Sequence, residues 1–532
     1  MQSNVTQELK CDHKDIVWTK LTTGAGVLGS LLVSLVVSAR LFPLGIPGEW
    51  VWEYRKIGPS PTSPFALAIV GVALIALLVH LWKRVPKARW ERAMFIALLM
   101  ILTLAVRFTA GRIEPAVPSV AVRNASIVVS PIATTFFLAA REVEQEGVST
   151  YLDSYHERII RYPSHAGTHP PGAVLYFWAI RRVAAVMPWL KEWGIEVLGG
   201  VEGVTIACAV TQHWTGATVS PDELATAWLT AQALILIGGL AVVFVWAAAC
   251  SQSMGQAGDP VAKFENRWRA GLIAVGAYAV APGGLLFLPV LDQLLLALAA
   301  IMVWLGASWW ANRDSRRRTF LAALLGLTAA VGLFCSFKFI PIIGCVGLWL
   351  LLEECNSGDS IKDRVENLRA AVVPWITLLL SLILPFVLLD VVFHFNLLTT
   401  FKVALGSHGV ETLEAKRTYW MWLFVNPLDF FYMGIGAVFL GVVVFANWRA
   451  YTEGLLKRFA PLVALAITIA LLSVSGLVRG EVARLWLPFL PVASVGMARW
   501  GLTSPRHLMW LFLVQILQVL MLRWNVEFVR PY

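Results

Sequence analysis

Charge is what this chain has least of. Only 14% of its 532 residues are Asp, Glu, Lys or Arg, against 58% apolar residues; a water-soluble domain runs at about 25% charged and about 45–50% apolar. A mean hydropathy of +0.70, with 27 Phe and 24 Trp, cannot be hidden in one aqueous core, so a soluble globular protein is excluded. Cysteine is also scarce. Cys11, Cys208, Cys250, Cys335, Cys345 and Cys355 show no metal-binding spacing, so neither a disulfide framework nor a zinc site is indicated. There is no Gly-rich phosphate loop, no metal-binding cluster, no nucleic-acid motif and no internal repeat. No stretch is polar and long enough for a separate soluble domain; the longest mostly polar one covers about 107–169. The first nineteen residues are polar, with no cleavable signal before the first apolar run, so insertion is expected to rely on the first transmembrane helix.

What is there are apolar runs. Backbone in lipid must satisfy its own hydrogen bonds, and a run of about 20 apolar residues reads as a spanning helix. The expected fold is therefore an all-α polytopic membrane protein with about thirteen to fifteen transmembrane helices: 20–42, 63–82, 93–110, 171–189, 195–213, 224–250, 271–290, 291–310, 320–337, 339–353, 371–395, 429–447, 459–478, 485–500 and 508–524. The net charge of +10 comes in short basic bursts between these runs, as in cytoplasmic loops, and does not point to nucleic acid. Placing Lys83–Arg89, Arg313–Arg318, Arg449 and Lys457–Arg458 in the cytoplasm predicts a multi-pass protein of the plasma (inner) membrane. That orientation requires 195–213 to span. It brings 43–62, 111–170, Pro289–Gln293, 396–428 and Arg479–Arg484 to one extracytoplasmic face, where the site is expected.

The outer loop 107–170 reads as two amphipathic helices lying on the membrane. Ile132, Phe136, Ala139, Ala140 and Val143 recur at helical spacing in the first, opposite Arg141, Glu142, Glu144 and Gln145; Tyr151, Tyr155, Ile159 and Tyr162 form a stripe in the second. His165-Ala166-Gly167-Thr168-His169-Pro170-Pro171-Gly172 then breaks the helix and opens the next span. A plain entry turn with incidental histidines accounts fully for the prolines and less well for the two histidines before them.

A loop of two juxtamembrane helices ending in a His-Pro-Pro turn resembles the GT-C superfamily, integral-membrane glycosyltransferases that use polyprenyl-phosphate-linked sugars. The Pro282–Leu294 segment with Asp292-Gln293, the Phe337-Lys338-Phe339 turn, and Ser475–Trp486 with Arg479, Glu481 and Arg484 are similar to further parts of that family. The resemblance covers roughly 107–500 and makes the chain a single transmembrane GT-C-like domain over 1–532. It implies transfer of a sugar from a polyprenyl-phosphate donor to a lipid, glycan or protein acceptor in a lipid environment. No cofactor is implied beyond the donor, and a divalent metal is left open.

Such a transfer needs cations for the leaving phosphate and a carboxylate to take the acceptor proton. Lys338, Arg417, Arg479 and Arg484 are outer-face cations suited to the phosphate, with His165, His169, Asp292 and Glu481 beside them. A lone lysine between apolar runs is costly unless paired, although snorkelling to the interface is the plain alternative. The family usually places an acid shortly before the first amphipathic helix, where this chain reads Val128-Val129-Ser130-Pro131. The candidate bases are therefore Glu49, the first choice, and Glu53, or Glu142, Glu144, Asp153 and Glu157 on the amphipathic helices, where charges usually just face water. Beside tryptophans, Glu49 is expected to have a raised pKa, unless it is simply an interfacial residue in an aromatic belt. Asp390 and His394 call for a partner near the end of a span. Asn124-Ala125-Ser126 matches a glycosylation acceptor, a pattern too short to carry weight. The rival readings are a lipid-linked-glycan transporter or flippase, disfavoured by one-sided polarity and absent repeats, and a non-catalytic GT-C-like subunit.

Overall fold

A computed structural model describes residues 13–115, 118–162, 165–252, 260–312, 314–356, 360–436, 455–499 and 504–531. Among them, eight helices are long and apolar enough to cross a membrane: Thr62–Lys83, Arg89–Ala110, Pro221–Gln252, Asp292–Ala311, Ser315–Cys335, Phe337–Asn356, Val365–Phe393 and Pro505–Asn525. The chain is a multi-pass membrane protein. Val365–Phe393 shows why lipid must be its solvent, since only 6% of its most apolar window is covered by protein.

Each of the eight coincides with an expected span, and among the described residues several of the other expected spans take a different form. Gly172–Val186 turns through 99° into Pro188–Val197. The 195–213 segment, on which the assumed orientation depends, is cut by Gly199 and Gly200, both at positive φ. The helix beyond this break, Gly200–Thr215, has 16 residues and carries Glu202 in its first turn. In place of a 271–290 span there is the charged helix Pro260–Ala279, with a short helix Pro282–Leu286 after it. The helices His13–Ser38 and Leu455–Ser475 overlap the expected 20–42 and 459–478 spans, and the apolar helix Leu487–Ala498 is shorter than a span. Residues 1–12, the 437–447 part of the 429–447 run, Arg313 and Arg449 lie outside the described residues.

The amphipathic segments do form helices, three rather than two: Phe136–Glu146, Val148–Asp153 and Tyr155–Arg158. Gly147, at φ 85, separates the first two. Ile132 precedes the helix and is exposed, whereas Phe136, Phe137, Ala140, Val143, Tyr151 and Tyr155 are buried. Their apolar faces meet Phe177, Leu224, Trp228 and Leu234 of the membrane helices in one cluster, so protein rather than lipid covers them, at about 1.5–3 kcal/mol per large side chain. Arg141 pairs with Glu223 at 2.8 Å, Arg158 with Glu142 at 2.7 Å and Arg181 with Glu144 at 2.6 Å. Asn124 and Ser126 are buried in helix Val120–Val129, which removes them as a glycosylation acceptor. The five described cysteines are free thiols.

The all-α expectation misses a small antiparallel sheet in the order β1-β2-β3: β1 (Leu44–Ile46), β2 (Trp50–Tyr54) and β3 (Val526–Glu527). Trp50, Val51 and Trp52 have the β-branched and aromatic character that suits a strand. The sheet is anchored by the buried Glu114. Its carboxylate lies 2.7 Å from Arg55 Nη1, 3.2 Å from Arg123 Nε and 2.9 Å from Arg523 Nη1. Burial alone would raise the pKa of Glu114, but the Arg123, Arg55 and Arg523 charges hold it below the usual 4.5. Arg55 also donates to the Arg523 and Val526 carbonyls at 3.1 Å. Removing one partner of a buried ion cluster strands the others. Glu114→Ala should therefore cost about 3–5 kcal/mol and lower the thermal unfolding midpoint in detergent; a midpoint equal to wild type would count against this role.

Candidate functional site

The helix directions bring the sheet, the His165–Gly172 turn, the start of Asp292–Ala311, the Lys338 turn and the 476–484 turn to one end of the bundle. An open cavity of about 660 Å³ lies there. One wall is the β2 segment from Glu49 to Glu53, and another is the carboxyl-terminal tail from Glu527 to Arg530. Ala133, His165, Glu481 and Arg484 face them. Trp50 and Trp52 meet edge to face at 4.4 Å, and Trp52 packs at 5.3 Å on both Phe287 and Phe528. This aromatic bed adds roughly 0.5–1.5 kcal/mol per pair beyond area burial.

A narrower recess of about 20 Å³ adjoins this cavity, sharing Ala133, His165 and Arg484 with it and adding His169, Asp292 and Lys338. It has room for one or two water-sized groups. Lys338 Nζ is 3.3 Å from Asp292 Oδ1, so the lysine is paired rather than snorkelling. Arg484 pairs with Glu481 at 2.8 Å, and its buried Nε has no hydrogen-bond partner among the described residues. Gly172 makes this packing feasible: a Cβ there would stand 2.4 Å from the Phe334 carbonyl oxygen, so the turn abuts the end of Ser315–Cys335. The Tyr155 hydroxyl fixes the same turn by donating to the His169 carbonyl at 2.6 Å. Burial, followed by the Arg484 and Lys338 charges, pushes the His165 pKa well below 6.5. Burial and Lys338 push His169 down to about 3. Both imidazoles are neutral at pH 7 and can present a donor nitrogen to an anion.

The 476–484 turn is shaped by Gly476, Gly480 and Glu481 at φ 62, 94 and 57. For Glu481, a non-glycine, that conformation is sparsely populated and is held by its surroundings. Asn426 does much of this, accepting from Gly480 N at 3.0 Å and donating to the Val478 carbonyl at 2.7 Å. Asp429 accepts from Ala483 N at 3.1 Å and from Trp52 Nε1 at 3.0 Å. Arg417 and Arg479 donate to each other's carbonyl oxygens and lie over Trp50 and Tyr419 respectively. Those two arginines brace the turn and do not line the cavity.

The candidate carboxylates separate clearly. Glu49 accepts from Thr418 N at 2.8 Å, Thr418 Oγ1 at 2.5 Å and Trp422 Nε1 at 2.7 Å. Slight burial would raise its pKa, but these bonds and Arg417 hold it below 4.5, so the raised pKa expected from its tryptophans is corrected. Glu53 reaches Arg530 at 2.6 Å, and the Arg530 hydrogen bond and charge hold its pKa below the usual value. Asp153 is not brought to the cavity; its partner is His394 at 3.2 Å, which also gives His394 the partner it called for. No group of three metal-ligating side chains occurs among the described residues. Glu114, Asn426, Asp429 and Arg530 escaped the sequence reading. Asn426-Pro427-Leu428-Asp429, polar groups inside an apolar run, was the one signal that would have exposed two of them.

The buried imidazoles set an acid dependence. The unfolded chain takes up a proton on His169 near the ordinary value of 6.5, whereas the folded one resists until about 3. Stability is thus complete above pH 6.5 and is lost as pH falls between those values, by up to about 1.4 kcal/mol per pH unit. Thermal unfolding in detergent should show a midpoint that drops from pH 7.5 to pH 5, and His169→Gln should flatten that slope. An unchanged slope in the variant would remove His169 as its source.

No family model matches the chain, and neither a curated protein nor a solved structure matches it, so a functional reading rests on the geometry of this site.

Proposed function

We propose that the protein is an inverting glycosyltransferase that moves one sugar from a polyprenyl-phosphate donor to a hydroxyl-bearing glycan, lipid or protein acceptor at the cavity end of the bundle. The observation that carries this reading is the convergence of Lys338, Arg484, His165 and His169 on a recess that opens into a carboxylate-lined cavity. In a chain with so few charges, cations gathered at the end of membrane helices suit an anionic headgroup whose tail stays in lipid.

The acceptor oxygen attacks the anomeric carbon, forming a new C–O bond as the bond from that carbon to the phosphate oxygen breaks. The phosphate leaves with the electron pair. Lys338 and Arg484 offset its growing negative charge, while neutral His165 and His169 donate hydrogen bonds. The acceptor proton passes to a carboxylate on the cavity wall. Glu53 suits that role better than Glu49, whose oxygens are occupied by Thr418 and Trp422. Glu481 keeps Arg484 in place, Asp292 does the same for Lys338, and Trp50 offers an aromatic face to a sugar ring. On this reading the site faces the extracytoplasmic side of the plasma membrane, where the basic loops of the opposite end stay inside.

Purified protein in lipid nanodiscs, incubated with decaprenyl-phosphate sugars and membrane-extract acceptors, should yield labelled product. Lys338→Ala and Arg484→Ala should each cut transfer by about 10²–10³-fold. Because Lys338→Ala also strands the buried Asp292, transfer is compared per folded protein, and Arg484→Ala carries the test where Lys338→Ala lowers the unfolding midpoint. Full transfer by either variant would remove the phosphate assignment, and flux of the labelled lipid across vesicles without product would favour a transporter.

A further inference from the structure

Glu53 and Glu527 are directly opposite one another in the β2–β3 register. Like charges so placed repel, and the chain answers this with a residue from its own tail. Arg530 Nη2 lies 2.6 Å from Glu53 Oε2, and its Nε lies 3.4 Å from Glu527 Oε2. Glu527 is held from the other side by Arg123 at 2.8 Å, and Arg123 belongs to the Glu114 cluster. A chain of ion pairs therefore runs from the buried core to the cavity mouth and ends at Glu53, whose side chain is 54% exposed. The tail also supplies Phe528, which packs on Trp52 and lines the same cavity.

We propose that Arg530 is a positioning residue of this site: clamped between Glu53 and Glu527, it fixes the Glu53 carboxylate on the cavity wall and makes the carboxyl-terminal tail part of the working site. The proposal rests on the glycosyl-transfer reading only for what Glu53 does there; the clamp itself is independent of it. The other charged and titratable groups around Glu53 are Lys56 just after β2, Glu49 just before it, and His165, Glu481 and Arg484 across the cavity. The Arg530 hydrogen bond and charge are foremost in keeping Glu53 ionised, with Lys56 a lesser influence. Without Arg530, the paired glutamates face each other with one cation fewer, and Glu53 should hold its proton to higher pH.

The test uses the full chain in nanodiscs with Arg530→Gln, Arg530→Lys and Glu53→Gln. A water-soluble carbodiimide with an amine nucleophile labels protonated carboxyls, and mass spectrometry of the Glu53 peptide across pH 4–8 follows its titration without any donor present. Labelling of exposed Glu157 serves as the internal reference. In Arg530→Gln, Glu53 labelling should be several-fold faster at pH 6 and persist to higher pH, with Arg530→Lys close to wild type; an Arg530→Gln curve equal to wild type overturns the proposal. In the decaprenyl-phosphate sugar assay, the acidic limb of kcat/KM should move upward in Arg530→Gln, because a base is lost when it is protonated, and Arg530→Lys should restore it. A limb that stays in place while labelling shifts overturns the link from Arg530 to the chemistry. Glu53→Gln transferring at the wild-type rate overturns instead the assignment of Glu53 as base, and labelling distinguishes that failure from failure of the clamp.

Discussion

The Glu114 carboxylate is the contact on which the cavity end of this protein depends. A carboxylate buried to this extent is tolerated only with several donors, and its partners come from three distant places: Arg55 after β2, Arg123 at the start of the outer loop helices, and Arg523 at the end of the last long helix. Arg523 also donates to the Leu285 carbonyl at 2.6 Å, which ties in the segment before Asp292. One acid thus joins four stretches of chain, which also share a buried apolar cluster of Trp52, Ile127, Phe287, Leu522 and Val526. The three-stranded sheet is a consequence, because Arg55 satisfies the carbonyls of the last helix while its backbone N–H bonds Asn525 at 2.7 Å.

The same logic of pairing orders the site. The Glu114 carboxylate is met by three arginines, whereas Lys338, Arg484 and Glu53 at the cavity each have one oppositely charged partner, Asp292, Glu481 and Arg530. Singly paired groups retain donors and acceptors that a ligand can use, and multiply paired ones do not. Glu49 and Glu53 show the contrast within one short segment. Glu49 is occupied in holding the Thr418–Trp422 segment, while Glu53 remains half exposed. The neutrality of His165 and His169 comes first from burial, and the Lys338 and Arg484 charges beside them add to it.

How much was legible in the sequence depended on the scarcity of charge. Lys338, Asp292, His165, His169, Glu481 and Arg484 stood out because a polar residue at the end of an apolar run must have a reason, and the structure draws all six around one recess and its mouth. Eight long spans were legible because apolar length needs no partner to be recognised. The rest was not, for physical reasons. The pairing of Glu114 with Arg523 bridges 409 positions, and no periodicity carries such information. The amphipathic stripes were read correctly as faces, but a stripe does not say whether lipid or protein covers it; here Phe177 and Trp228 do. The breaks at Pro188, Gly199 and Gly200 were not legible either, because hydropathy alone presents those apolar stretches as continuous.

Arg107 shows how far inside the bundle this end of the molecule is anchored. It is fully buried in the helix Arg89–Ala110, and its Nε and Nη2 have no hydrogen-bond partner among the described residues. A guanidinium in that position is expensive, yet the packing makes room for it. A Cβ on Gly238 would come within 2.9 Å of Nη1, and one on Gly284 within 3.0 Å of Nη2. Its bond is to Gln293 Oε1 at 2.5 Å, and Gln293 Nε2 in turn donates to the Phe287 carbonyl at 2.8 Å. Gln293 is the neighbour of Asp292, so the residue that pairs with Lys338 sits on a turn gripped from within the membrane helices. The guanidinium also lies over the Tyr278 ring at 5.2 Å, and such a contact offsets part of its desolvation. Through Gln293, then, the turn that carries Asp292 and pairs with Lys338 is tied to a cation inside the membrane helices.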